Sequence, residues 1–166
     1  MSAIEKLVKV PEAITEAQFT DLCKSPLASV TEVDVKPGLT LFGLYAEVYE
    51  NGQPTNRIIN VNQPWEVRVA FGLKGPLKEL ICGKWCVDVY FESIGPGREF
   101  RLTHPEIDFN CSNGYWYVTI PGPVLETTDC GAPYKLVATV AYHSMCGKPA
   151  GIVGFSELPL IEFYSA

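Results

Sequence analysis

The sequence predicts a mainly β fold: two antiparallel sheets stacked as a sandwich, preceded by a short N-terminal helical arm. Three features carry this expectation. Short runs with alternating apolar and polar residues recur from Ser29 onward, and Gly, Pro and Asn punctuate them closely. Only one stretch, Pro11 to Lys24, has a helical pattern. A chain of 166 residues fits one domain, and at this size roughly 70% of the unfolded surface is buried without metals or crosslinks.

Residues 1–28 form the arm. Thr15 followed by Gln18 makes a capping box, which predicts a helix from Glu16 to Lys24 that Pro26 stops soon afterwards. Its apolar residues Ala17, Phe19, Leu22 and Cys23 fit one stripe. So short a helix is unstable alone and must dock.

Residues 29–166 form the sandwich. Trp65, Val67, Val69 and Phe71 alternate with polar or small neighbours and predict a strand with one buried face. Trp85, Val87, Val89 and Phe91 repeat the arrangement, as do Tyr134, Leu136, Ala138, Val140 and Tyr142. Weaker candidates are Ser29 to Val35, Thr40 to Tyr49, Arg98 to Thr103, Gly114 to Ile120, Gly151 to Phe155 and Leu158 to Tyr164, about nine strands in all. Asn51-Gly52, Gly75-Pro76, Gly95-Pro96-Gly97, Asn113-Gly114, Pro121-Gly122-Pro123 and Gly147-Lys148-Pro149 mark turns. Strands so spaced, without crossover helices, imply antiparallel pairing in two sheets. Their number and spacing over Ser29 to Ala166 resemble the immunoglobulin and fibronectin superfold, with a tryptophan on an early-to-middle strand as core pivot. The resemblance implies an immunoglobulin-like sandwich and no more, since cysteines flanking a core Trp at the antibody spacing are not evident.

Thirteen Lys and Arg against nineteen Asp and Glu give a net charge of -6, which repels a phosphate backbone unless the basic residues cluster; Lys74, Lys78 and Lys84 are scattered, so nucleic acid is not an expected partner. The first residues lack the apolar run of a secretory signal, and no segment approaches the ~20 apolar residues of a membrane span. A cytoplasmic location is therefore expected, with Cys23, Cys82, Cys86, Cys111, Cys130 and Cys146 as thiols.

Cys82 and Cys86, with His143 and Cys146, offer a four-ligand zinc or redox set, weighed against structural thiols. A Cys111–Cys130 disulfide is a further alternative, and Asn110-Cys111-Ser112 fits the glycosylation pattern but lacks a secretory context. His104, before Pro105, reads as a turn residue at a strand end, and His143 with Cys146 as a loop-edge pair without catalytic use. Glu92, Glu99, Glu106 and Asp108 read as a solvated acidic rim around one loop region, matching no calcium loop. Gly72, Gly75 and Gly83 precede no helix and make no phosphate cradle. No catalytic constellation, cofactor or resident metal is expected.

Aromatic surplus remains. On a strand, Trp116 points to one face and Tyr115 and Tyr117 to the other, so one set faces outward and must be covered by the arm or by a partner. Phe19, Leu22, Tyr115, Trp116 and Tyr117 are thus the candidate interaction residues. Leu158, Leu160, Ile161, Phe163 and Tyr164 place apolar groups on both faces of the last strand, as in a central strand or an oligomer contact. The expected function is a non-catalytic protein-interaction or structural module, binding itself or a larger assembly through a sheet face or the arm. The alternatives are a small-molecule or lipid carrier with a cleft between the sheets, and the zinc or redox protein just described.

Overall fold

The computed structural model describes residues 10–36, 40–55, 58–75, 83–95, 97–109, 114–123, 125, 130–131, 133–144 and 149–165. Among them, the arm supplies strand β1 (Glu12–Ile14) and helix α1 (Glu16–Cys23). The sandwich follows as β2 (Ser29–Lys36), β3 (Thr40–Glu50), β4 (Gln53–Pro54), β5 (Ile58–Asn60), β6 (Trp65–Lys74) and β7 (Gly83–Ser93). It ends with β8 (Phe100–Phe109), β9 (Tyr115–Pro121), β10 (Pro133–Ser144), β11 (Pro149–Glu157) and β12 (Ile161–Tyr164).

Two sheets of six strands result. The first runs β1-β9-β6-β3-β2, with β4 paired to the end of β3; the second runs β5-β12-β10-β7-β8, with β11 paired to β10. The pairs are antiparallel except β5 with β12, which is parallel. Asn51 and Gly52 both have positive φ, 50° and 78°, and close the β3–β4 hairpin as the two-residue turn that Asn-Gly favours.

The core lies between the sheets and follows the alternation. Trp65, Val67, Val69, Phe71 and Leu73 of β6 face Trp85, Val87, Val89 and Phe91 of β7 and Tyr134, Leu136, Ala138, Val140 and Tyr142 of β10. Trp85 is fully buried, and its ring lies 5.5 Å from Phe42, 5.3 Å from Phe71 and 5.2 Å from Tyr142 between centroids. Along one long edge, Ser29 and Thr31 of β2 meet the buried Ser156 of β11 through side-chain hydroxyls, which joins the two sheets.

The structure differs from expectation in three places. β1, β4 and β5 are too short to leave an alternating run, so their pairing partners define them. The strand expected to stop at Thr103 continues to Phe109, and His104 is a buried strand residue, 5% exposed, instead of a turn residue. A register shift between Trp85 and Val87 explains this. Two residues of β8, Pro105 and Glu106, stand opposite Cys86 alone; such a bulge accommodates a proline and reverses the strand's alternation. Phe100, Leu102 and His104 point inward before it and Ile107 after it. The last strand, finally, is flanked by β5 and β10, with Ile161 and Phe163 inward and Glu162 and Tyr164 exposed.

Candidate functional site

The outer face of the first sheet is built from small residues beside large ones. Gly43 of β3, Gly72 and Ala70 of β6, and Tyr115 of β9 lie in adjacent cross-strand positions. At Gly72 a Cβ would strike the Gly114 carbonyl oxygen at 2.1 Å and the Tyr115 ring at 2.5 Å; at Gly43 one would approach the Phe19 ring at 3.0 Å, and its absence leaves a trough. Phe19 fills it, 6% exposed, with its ring 4.7 Å from that of Tyr115. Tyr45 and Ala70 complete this second cluster, and Leu22, Cys23 and Tyr117 pack at its margin. Trp116 points the other way, against the core. Helix α1 holds Phe19 there because both halves of its capping box form, at 3.1 and 2.8 Å.

Next to this cluster lies a polar network. Glu47 of β3 is 1% exposed. Its carboxylate accepts hydrogen bonds from the hydroxyls of Tyr45 and Tyr49 on its own strand, and from Ser25 just beyond the helix at 2.5 Å. One carboxylate thereby ties the arm to the sheet, and its desolvation is offset by three donors. Arg68 of β6 lies 3.8 Å over the Tyr49 ring, pairs with Glu66 at 2.6 Å and donates to the Tyr117 hydroxyl at 3.3 Å. A cleft of about 640 Å³ opens between arm and sheet, floored by Tyr45, Glu47 and Tyr117 with Leu22 on its rim. Burial pushes the Tyr115 and Tyr117 hydroxyls up to about 12, with Arg68 opposing it at Tyr117. Tyr45 is raised further, by burial first and by its bonds to Glu47 and Tyr49.

The outer face of the second sheet is different. Tyr90 of β7, Val153 and Phe155 of β11, and Ile58 and Tyr164 on the neighbouring β5 and β12 are exposed, Val153 and Phe155 by 58% and 61%. Phe155 stands beside Thr139, Val153 beside Ala141 and Tyr90 beside Val137. The other edge, β8, carries exposed Arg101, Thr103, Pro105, Glu106 and Asp108, a charged and proline-containing border unsuited to strand addition.

Of the metal-ligating candidates, Cys86 and His143 do meet, on this same face. Their ligand atoms and a carboxylate oxygen of Glu106 lie within 4.8 Å of one another. Cys82, Cys146 and Cys111 lie outside the described residues, as does Asn110, so the four-ligand set and the disulfide fall there in part. Cys130 and Cys23 are half-buried thiols. Glu92 and Glu99 stand towards one end of the β7–β8 pair and Glu106 and Asp108 towards the other, so the acidic run is not one cluster. Glu106 was legible only as a surface acid; the signal that brings it to Cys86 is the broken alternation around Pro105. Among the described residues no helix is long and apolar enough to cross a membrane.

No protein-family model matches this sequence, and no curated protein matches it either.

Proposed function

We propose that the chain is a non-catalytic protein-binding module of immunoglobulin-like architecture, which docks its partner on the outer face of the second sheet around β11. The pairing orders β9-β6-β3 and β8-β7-β10-β11 support that architecture, because β6 to β7, β8 to β9 and β9 to β10 each pass from one sheet to the other. The carrying observation for docking is the exposure of Val153 and Phe155, two positions apart on a strand that, among the described residues, is paired only to β10. Exposed apolar groups clustered on one face mark interaction surfaces in soluble proteins. The arm is the weaker candidate, since Phe19 is spent on the chain's own sheet. A carrier cleft between the sheets is less well supported too, because the rings there are stacked against one another.

Catalysis draws little support from Cys86, a thiol that meets a histidine. Burial, followed by the charges of Glu106 and Asp88, pushes its pKa up, opposite to what a nucleophile needs.

Sedimentation and capture experiments on the natural chain and on Phe155→Lys test the reading. A complex, with itself or a second protein, is expected for the natural chain and not for the variant. A natural chain that stays monomeric and retains no protein, or a complex indifferent to Phe155→Lys, overturns it.

A further inference from the structure

The geometry points to a transition-metal site of the zinc class on the outer face of the second sheet, held by Cys86 Sγ, a carboxylate oxygen of Glu106 and an imidazole nitrogen of His143. Three neighbouring strands supply one ligand each. β7 is paired on one side to β10 and on the other to β8, and Cys86 and His143 sit on the solvent side of adjacent strands, two residues out of register. Glu106 would not be expected at this point on a regular β8. The bulge at Pro105 and Glu106 opposite Cys86 adds the extra residue that brings the carboxylate alongside the thiol.

The donor set narrows the ion. A thiolate and an imidazole with one carboxylate suit zinc or cobalt and do not suit magnesium or calcium, which take oxygen ligands. Tetrahedral zinc with bonds of roughly 2.0–2.3 Å holds its ligand atoms roughly 3.3–3.8 Å apart. Separations within 4.8 Å leave at most roughly 1.5 Å to close between ligand atoms. Charge balance agrees: a thiolate and a carboxylate neutralise a divalent cation and leave one coordination position for water.

Without the ion, the same groups oppose each other. Glu106 lies 3.3 Å from the Lys84 ammonium, and its carboxylate also stands beside the Cys86 thiol. Binding therefore exchanges partners in a balanced step. The metal displaces Lys84 from Glu106, the Cys86 S–H bond breaks, a sulfur–metal bond forms, and the thiol proton leaves to solvent. Affinity accordingly falls as pH falls. Cys82 adjoins Gly83 and Cys146 lies two residues beyond Ser144 in sequence; neither is part of the assignment.

The test is titration of the full chain, reduced and stripped with a chelator, with cobalt(II) and then zinc(II). One equivalent of cobalt should bind with a thiolate-to-metal charge-transfer band, and zinc should displace it. Cys86→Ser should abolish the band. Glu106→Gln and His143→Ala should each weaken binding at least ~tenfold. The double variant Cys82→Ser with Cys146→Ser should retain the site. No stoichiometric binding overturns the assignment, as does a charge-transfer band that survives Cys86→Ser or disappears in the double variant. Glu106 is an exposed side chain, so Glu106→Gln reports even if Cys86→Ser fails to fold; binding unchanged in that variant also overturns the assigned ligand set.

Discussion

On the outer face of the first sheet Tyr45 and Tyr115 are buried beneath the arm, whereas on the outer face of the second Val153 and Phe155 lie open to solvent. Both faces carry aromatic and apolar groups that a two-layer sandwich leaves outside its core. The first covers them with its own chain and secures the cover with a buried carboxylate, Glu47, bonded to Ser25 of the arm. The second has no such element among the described residues. Aromatic richness alone therefore does not mark a docking surface; glycines that recess the sheet and a polar anchor identify the face made for an internal partner.

One ring from each face gives the sharpest contrast. Phe19→Ala removes the side chain that fills the glycine trough and is expected to destabilise the protein by about 3 kcal/mol. Hydrogen exchange should show lost protection in α1 and β1, with β7 and β10 still protected, because the two clusters share no buried residue. Uniform loss over both sheets would show that the arm is part of the core and break the comparison. Glu47→Ala comes next, at about 2 kcal/mol, since it leaves the buried hydroxyls of Tyr45 and Tyr49 with only each other, 3.2 Å apart, and releases Ser25. Glu47→Gln, which keeps an acceptor, should cost less; denaturant unfolding checks both.

Alkali should find the first face before the second. Tyr45, Tyr115 and Tyr117 all have raised hydroxyl pKa values, the latter two at about 12, against about 10 in an unfolded chain. Their contribution is fully present below pH ~10. As pH rises through that value towards 12, the unfolded chain releases protons that the folded chain keeps, so stability is lost. Tyr115→Phe should flatten this loss in a pH series of unfolding midpoints, and an unchanged slope would remove Tyr115 from the account.

The parts of the covered face are legible in the sequence where they are local. Thr15 and Gln18 fix the helix start from three residues' spacing, and Tyr115-Trp116-Tyr117 can only split across a strand. The alternation of β6, β7 and β10 likewise names the core-facing side of each strand directly. What was not legible depends on pairing across the chain. Gly43 and Gly72 come side by side, one under Phe19 and the other against Tyr115, only once β3 and β6 are aligned, and Glu47 becomes an anchor only when Ser25 is brought over it from 22 positions away. His104 reads as a turn residue because Pro105 resembles a strand end, whereas Pro105 belongs to a bulge inside the strand. Phe155 gave no warning either, since an alternating apolar residue looks the same whichever face it occupies.

The smallest effects separate stability from association. Thr15→Ala removes the cap that holds Phe19 in place and should cost about 1 kcal/mol, read again in the arm's exchange protection. Phe155→Lys should change unfolding by no more than ~0.5 kcal/mol, because a side chain 61% exposed gives up little buried area when it is replaced. Its sedimentation behaviour should change all the same. A residue that adds almost nothing to folding but decides assembly is serving a surface outside the chain, and Phe19, with the opposite profile, serves one within it. If Phe155→Lys instead destabilised the fold as Phe19→Ala does, the second face would be covered by its own chain as well, and the contrast between the faces would collapse.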